Sequence, residues 1–233
     1  LRLAEYLPVG KADGLFEACY EAGGADGVST GLPEEFTLRL GLPGRHNGLN
    51  LAAALLTLVA RGEPVDPDEL NPVLAEIALP AGRWRRTSVG ELAFVDDAYN
   101  ANPSSVRASF QAFMSVEPPD ALASANEAGR IAVMGEMHEL GERAEGLHLE
   151  VVREIVGEAD LDAFCAVGQY AEQMARAAEE SAAGRLEAAA FDTPAAIAGW
   201  LTERAPAFVW MKASRASGLE RVIQCLRDDR EES

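Results

Sequence analysis

Short, uninterrupted apolar runs alternate with amphipathic helical segments from Arg83 to the end of the 233-residue sequence. Strands made only of apolar residues are buried on both faces, which is typical of a parallel sheet. The alternation therefore predicts a doubly wound α/β domain with a mainly parallel sheet. The predicted strands are Leu92–Val95, Ile131–Met134, Ala163–Val167, Leu186–Phe191 and Phe208–Met211, with an antiparallel Thr87–Val89 strand, and the predicted helices lie near residues 103–115, 143–157, 169–182, 194–204 and 217–227.

The residues before Arg83 have a different character. Phe36–Leu40 alternates apolar and polar side chains, which predicts a half-exposed strand at the edge of an antiparallel sheet, and glycine-containing turns are predicted between residues 23 and 33. Leu49–Ala60 predicts a helix that is apolar nearly all round and therefore buried. A second helix is expected over Pro67–Ile77, with Asp66 as its cap.

Pro80–Gly82 marks the predicted boundary between two domains, residues 1–82 and residues 83–233. The first domain is expected to contain the antiparallel sheet and its helices, and the second the parallel sheet. The chain begins without methionine, so we expect it to be a piece of a longer protein.

The composition excludes some classes of function. The formal net charge is −18, which argues against a nucleic-acid partner or an anionic membrane surface. No apolar run approaches the ~20 residues that a membrane span needs, so we expect a soluble chain. The three cysteines are far apart and match no metal spacing; Cys165 is expected in the core, and the compartment is expected to be the cytoplasm.

The turn after the first predicted parallel strand, Asp96–Ser105, carries two acids, a phenol and two amides. Asn102 is a good helix cap and Pro103 suits the first helical position, so the segment predicts a strand-to-helix turn. In open α/β sheets ligands bind at the carboxyl ends of the strands, where this turn lies. A well-capped loop with no ligand is the alternative interpretation of the same residues.

Lys212–Arg215 follows the last predicted strand and places two cations and a hydroxyl at the expected start of the final helix. Such a combination favours a carboxylate or phosphate ligand, because helix-end amides and positive side chains act together. A solvated loop is the alternative.

Two further segments admit both a structural and a binding interpretation. Asn47 and Asn50 lie three residues apart at a helix start, where two amides cap the helix or read the edge of a base. Arg83 begins a basic run, Arg83–Arg86, that fits either a phosphate clamp or a solvated face.

The loop Met134–Glu142 is acidic and, with His138 and His148, suggests a metal site at first sight. Its spacing fits no defined ligand pattern, so we predict no metal there. The sequence also contains no G-x-x-x-x-G-K-[ST] phosphate-binding loop, because Gly10-Lys11 is followed by Ala12 and has the wrong flanks.

Five segments occur in the order and spacing found in Mur ligases: Pro43–Asn50, Gly82-Arg83, Asp96–Pro103, Gly135–Gly141 and Lys212–Arg215. The sequence therefore resembles the Mur ligase family over most of residues 36–226. The DDAYNANP and GEMxELG forms look like those of the members that join D-Ala-D-Ala to UDP-N-acetylmuramoyl-tripeptide. One departure is Ala213, where the family commonly has glycine.

The resemblance implies an architecture and a reaction. Residues 1–82 would be the end of a central ATP-binding domain, and residues 83–233 a C-terminal Rossmann-like ligase domain. In such ligases ATP phosphorylates the tripeptide carboxylate, and the dipeptide amine attacks the resulting acyl phosphate, in cytoplasmic peptidoglycan precursor synthesis. Mg²⁺ ligands and the phosphate-binding loop would lie in a part that this sequence lacks, so we expect the chain alone to be inactive and monomeric.

The resemblance also implies roles for individual residues. Arg83 and Asp97 are the implied catalytic residues, Arg83 at the ATP phosphates and Asp97 at the ribose. The remaining implied residues are His46, Asn47 and Asn50 for the nucleotide, Tyr99, Asn100 and Asn102 for the dipeptide, and Lys212, Ser214 and Arg215 for the dipeptide's carboxylate. The rival interpretations are a sister Mur ligase that adds another amino acid and a non-catalytic Rossmann-like binding module.

Overall fold

The computed structural model describes residues 1–9, 15–22, 32–77, 79–123, 128–157 and 159–231. The turns predicted from 23 to 31 and the Gly10-Lys11 pair lie outside these residues. The chain divides into two compact units, Leu1–Ala78 with Ser115–Glu117, and Leu79–Met114 with Pro118–Ser233. The division falls four residues before the predicted boundary at residue 82, and the assignment of each part to a domain of a larger ligase stays a prediction.

The first unit is built on a three-stranded antiparallel sheet in the order β1-β2-β3. The alternation predicted for Phe36–Leu40 is confirmed, since Leu38 and Leu40 are buried while Arg39 is exposed. Leu38 and Leu40 join Tyr20, Leu55 and other apolar residues in one core. The elements of this unit are β1 (Arg2–Val9), β2 (Leu15–Glu21), β3 (Glu35–Leu40), α1 (Arg45–Ala60) and α2 (Pro67–Ala75).

Helix α1 differs from its prediction in two respects. It begins at Arg45 rather than Leu49, directly after Gly44, whose φ of 91° turns the chain into the helix. It is also not buried all round: Ala52 and Leu55 face the core, whereas Leu49 and Leu56 are exposed. An apolar composition gave no indication of which face would pack. Helix α2 does begin at the predicted cap, where Asp66 accepts from the Asp68 amide at 2.9 Å.

The second unit contains a six-stranded sheet in the order β4-β5-β9-β6-β7-β8. Strand β4 pairs antiparallel with β5, and all other pairs are parallel, as predicted. The strands are β4 (Arg85–Val89), β5 (Leu92–Asp97), β6 (Gly129–Met134), β7 (Ala163–Val167), β8 (Glu187–Phe191) and β9 (Ala207–Lys212).

Helices cover both faces of this sheet. Phe110 stacks edge-on against Trp210 on one face, with ring centroids 5.3 Å apart, while Val209 lies in the buried cluster with Ile197 and Val222 on the other. Alternate residues of β9 thus pack on opposite helical layers, which explains why this strand is apolar from Ala207 to Met211. The helices are α3 (Pro103–Ser115), α4 (Asp120–Ala123), α5 (Ala144–Gly157), α6 (Ala171–Ser181), α7 (Pro194–Thr202) and α8 (Arg221–Glu231).

Helix α8 begins four residues later than the pattern predicted. A single 3-10 turn, Arg215–Ser217, and the left-handed Gly218 separate it from β9. The helix N-terminus therefore does not adjoin Lys212, and the sequence argument that helix-end amides would assist the cations there is wrong.

Strands β5, β6 and β9 end at the same edge of the sheet. In the register of the ladders, Lys212 lies beside Asp97 on one side and beside Met134 on the other. This carboxyl edge carries the polar residues described below. Within the described ranges, no helix combines the length and the apolar composition that crossing a bilayer requires.

Candidate active site

The two acids at the end of β5 have different environments. Asp96 is buried, and its Oδ1 accepts from the Ala98 amide at 3.2 Å. Burial raises the pKa of Asp96, and the nearby carboxylates of Asp97 and Glu220 raise it further. Asp97 is partly exposed, and its Oδ1 accepts from the Trp84 amide at 3.2 Å. Only Asp97 is therefore placed to meet a ligand at the edge.

Lys212 lies at the end of β9 with its ammonium group directed at the turn after β5. Nζ lies 2.9 Å from Asp97 Oδ2, and it donates to the carbonyls of Asp97 at 3.0 Å and Asn100 at 2.5 Å. The Lys212 side chain is 5% exposed. A buried ammonium with three oxygen acceptors is well compensated, so this contact fixes the turn.

Tyr99 projects from the same turn and is 38% exposed. The guanidinium carbon of Arg83 lies 4.4 Å from its ring centroid, and that of Arg215 lies 5.5 Å away. Both arginines are exposed. The ring thus holds two cations at the surface of the edge.

The segment directly before β4 contacts the turn after β5. The Tyr99 amide donates to the Gly82 carbonyl at 2.8 Å, and a Cβ on Gly82, whose φ is 74°, would lie 3.2 Å from the Tyr99 nitrogen. Trp84 also adopts a positive φ of 50°, uncommon for a bulky residue, and its amide is the one that reaches Asp97. This backbone course sets Arg83 beside Tyr99.

Ser214 joins three segments of the edge. Its hydroxyl accepts from the His138 amide at 3.0 Å and approaches the Ala101 carbonyl at 3.4 Å, while its own amide donates to the Glu136 carbonyl at 2.8 Å. Ser214 is buried. In this structure its polar groups link the turn after β5, the loop after β6 and the end of β9.

The carboxylate of Glu136 extends the network to β7. It accepts from the Gln169 amide and lies 3.0 Å from His138 Nε2. Gly168, at the end of β7, makes room for it, since a Cβ there would lie 2.6 Å from Glu136 Cγ.

His148 supports the loop after β6 from α5. Its Nε2 accepts from the Met137 amide at 2.7 Å, and its Nδ1 donates to the Ala144 carbonyl at 2.7 Å. Burial lowers the pKa of His148, which keeps the imidazole in the neutral form that this arrangement requires.

All eight residues implied for the second unit meet at this edge. Asn100 contributes its carbonyl to Lys212, and Asn102 caps α3, as predicted, by accepting from the Ser105 amide at 2.9 Å. The implied residues present together are Arg83, Asp97, Tyr99, Asn100, Asn102, Lys212, Ser214 and Arg215. Their roles toward substrates stay predictions.

The three nucleotide candidates of the first unit, His46, Asn47 and Asn50, lie in the first turns of α1. Asn47 donates from Nδ2 to the Pro43 carbonyl at 2.7 Å, and the capping role that the sequence admitted is wrong, because no described side chain accepts from the amides at the start of α1. Asn50 is exposed and His46 is partly buried.

Sequence reasoning did not identify three contributors to the edge: the Trp84 amide, Glu136 as a bridge to Gln169, and His148 as a loop support. A signal for His148 was present, because it precedes Val151, Val152 and Ile155 at helical spacing and so lies on the apolar face of α5. Among the described residues, no three His, Cys, Asp or Glu side chains come together as a metal site would need.

Comparison with known proteins adds independent information. The family model described as "Mur ligase, glutamate ligase domain" matches residues 82–215. The UDP-N-acetylmuramoyl-tripeptide–D-alanyl-D-alanine ligase of Escherichia coli K12 is 28% identical over 205 residues, covering 84% of this chain and 42% of the relative.

Two solved structures are similar over nearly the whole chain. MurF from Acinetobacter baumannii superimposes with a TM-score of 0.70 at 25% identity, covering 97% of this chain and 44% of that protein. MurF from Thermotoga maritima, solved in complex with ADP, has a TM-score of 0.69 at 26% identity and covers 99% and 46%. The chain thus spans less than half the length of the relatives it matches.

Proposed function

The chain belongs to the Mur ligase family, and from this we propose that it is part of an ATP-dependent ligase that joins D-Ala-D-Ala to UDP-N-acetylmuramoyl-tripeptide. The reaction forms an amide bond in cytoplasmic peptidoglycan precursor synthesis. The proposed product is the UDP-linked muramyl pentapeptide.

The observation that carries this proposal is the group of cations around one turn at the carboxyl edge. Lys212 is bonded to Asp97 and to the Asn100 carbonyl, and Arg83 and Arg215 lie over Tyr99. An acyl-transfer ligase needs positive charge where a carboxylate is activated and where phosphate leaves, and this edge supplies it.

The residues of the edge would contact different reactants. Tyr99, Asn100 and Asn102 would border the dipeptide, and the Lys212, Ser214 and Arg215 segment would lie near its carboxylate. Arg83 and Asp97 would face the nucleotide. Fixed cations would then oppose the negative charge that develops on the tetrahedral centre when the amine attacks.

Two residues of this chain suit contact with ATP. The Arg83 guanidinium is exposed and held over Tyr99, as a phosphate contact would require, and Asp97 keeps 17% of its side chain exposed. ATP, when bound, supplies the phosphoryl group that activates the tripeptide carboxylate. In the first unit, Asn50 and His46 would lie by the nucleotide with Asn47.

The sequence contains no phosphate-binding loop of the G-x-x-x-x-G-K-[ST] type. We therefore propose that residues outside these 233 hold the triphosphate and Mg²⁺ and bind the UDP-linked substrate. This chain covers 42% to 46% of the length of the similar proteins, which supports the proposal that these functions belong to residues outside it.

The test is a ligation assay on the full protein that the gene encodes. It is supplied with ATP, Mg²⁺ and UDP-N-acetylmuramoyl-tripeptide, and the acceptors compared are D-Ala-D-Ala, L-alanine, D-glutamate and a diamino acid. We expect ADP release and amide formation with D-Ala-D-Ala only. Preference for another amine would indicate a sister ligase, and no ligation with any amine would favour a binding module; either result contradicts the proposal.

A further inference from the structure

Lys212 has no donor hydrogen to spare in this structure. An ammonium group carries three N–H donors, and three acceptors surround Nζ: Asp97 Oδ2 at 2.9 Å, the Asp97 carbonyl at 3.0 Å and the Asn100 carbonyl at 2.5 Å. The side chain is 5% exposed, so solvent or a ligand has little access to it. To bind a substrate carboxylate, Lys212 would have to break one of these contacts with Asp97 or Asn100.

Arg215 differs from Lys212 in each of these respects. It is exposed, and its guanidinium lies 5.5 Å from the centroid of the half-exposed Tyr99 ring. The planar guanidinium offers two parallel N–H donors, the geometry that binds a carboxylate in bidentate fashion. Lys212 and Arg215 are only three residues apart, but Lys212 is suited to an internal contact and Arg215 to binding a ligand.

We propose that Lys212 is a positioning residue that acts through the turn, and that Arg215 alone of the two contacts the carboxylate of the acceptor dipeptide. By tying Asp97 and Asn100 together, Lys212 fixes both ends of the segment that presents Tyr99. This inference rests on the proposed function and refines it, since it assigns different roles to two residues that the family resemblance grouped together.

The identity of the residue supports this role. Lys212 is one of only two lysines among the 20 basic residues of the chain. The ammonium group of a lysine can donate to three acceptors arranged around its nitrogen atom, whereas the donors of an arginine lie in the plane of its guanidinium group. The three acceptors here belong to two carbonyls and one carboxylate of a single turn, which suits a compact ammonium group.

The kinetic test compares two variants of the full ligase, Lys212→Met and Arg215→Met, on D-Ala-D-Ala and on its C-terminal amide. The wild type should prefer the acid by about tenfold or more, because a charge-assisted contact is lost with the amide. Arg215→Met should abolish this preference. Lys212→Met should lower kcat on the order of 100-fold, because misplacing the turn disturbs alignment, and should leave the acid-to-amide ratio within about twofold of the wild type.

If Lys212→Met lost the preference for the acid over the amide, Lys212 itself would bind the carboxylate and the proposal would be overturned. An unchanged kcat in Lys212→Met or an unchanged ratio in Arg215→Met would overturn it too. Should the methionine variant not fold, Lys212→Gln, which keeps two donor hydrogens, replaces it: a smaller fall in kcat with the same ratio supports the proposal, and a collapsed ratio contradicts it.

A second measurement does not depend on the reaction. In ¹⁵N spectra of the 233-residue chain, Lys212→Met should shift the amides of Ala98, Tyr99 and Asn100, while Arg215→Met should leave Ala98 and Asn100 in place. If the wild type does not ligate D-Ala-D-Ala, the proposed function fails. The spectra then decide the positioning role alone, and an unperturbed turn in Lys212→Met would refute it.

Discussion

At the scale of single residues, two glycines make the carboxyl edge possible. A Cβ on Gly135 would lie 2.7 Å from the Cβ of Ala213, and one on Gly168 would lie 2.6 Å from Glu136 Cγ. Ala213 therefore occupies space that Gly135 leaves open, and its own φ is not positive. The departure from the glycine common in the family at position 213 needs no backbone strain here.

Gly168→Ala should destabilise the second unit by about 1–3 kcal/mol, because its φ of 109° disfavours a side chain and the new methyl displaces Glu136. The matched control is Gly199→Ala in α7, where nothing lies within 4 Å of the added Cβ and helix propensity improves stability by about 0.5–1 kcal/mol. Urea unfolding followed by tryptophan fluorescence measures both, since Trp84, Trp200 and Trp210 all belong to the second unit. Equal stabilities for the two variants would contradict the packing argument.

The sequence indicated which residues gather at the edge but not how they contact one another. Asp97 and Lys212 were each predicted to follow a parallel strand, at the carboxyl end where ligands bind. Their direct ion pair depends on β9 lying next to β5, which no local pattern specifies. For the same reason the sequence did not separate the buried Lys212 from the exposed Arg215.

At the scale of elements, local patterns predicted the strands and the longer helices of the second unit well, whereas β1 and β2 of the first unit and the short α4 were not predicted. Helix α3 has the predicted bounds, and β7 does too, because apolar spacing, caps and prolines are local signals. The strand order was not predictable, since β9 is last in sequence and central in the sheet, a placement set by packing across the whole unit. The start of α8 was misplaced because the 3-10 turn before it continues a helix-like pattern.

The contact between α5 and the loop after β6 should depend on pH. Burial lowers the pKa of His148 from 6.5. The folded imidazole is therefore neutral at pH 6.5 and above, and it accepts from the Met137 amide. As pH falls below 6.5 toward the folded pKa, the unfolded state gains protons first and the contact loses stability. The hydrogen-exchange protection factor of the Met137 amide should therefore decrease as pH is lowered from 7 to 5.

The matched control for this dependence is His148→Asn, which keeps a hydrogen-bonding side chain but cannot titrate. Its Met137 protection factor should vary little over the same range. A wild-type protection factor that stays constant, or one that falls equally in the variant, would show that His148 is not the titrating group.

At the scale of the whole molecule, 38 acidic residues outnumber 20 basic ones, so a place where two arginines lie at one aromatic ring is informative. In the second unit, Arg107 pairs with Glu150 and Glu154, and Arg204 pairs with Glu187. Arg83 and Arg215 instead lie over Tyr99 at the carboxyl edge. In a strongly acidic chain, these two arginines give the edge local positive charge of the kind that an anionic reactant needs.

The central claim is that the carboxyl edge of the six-stranded sheet receives the acceptor dipeptide. Hydrogen–deuterium exchange of the full ligase tests it most directly, with UDP-N-acetylmuramoyl-tripeptide and a non-hydrolysable ATP analogue present throughout. Adding D-Ala-D-Ala should slow exchange in segments 96–102 and 212–217, and adding L-Ala-L-Ala should not. Unchanged exchange in both segments, or equal protection by the two dipeptides, would contradict the claim.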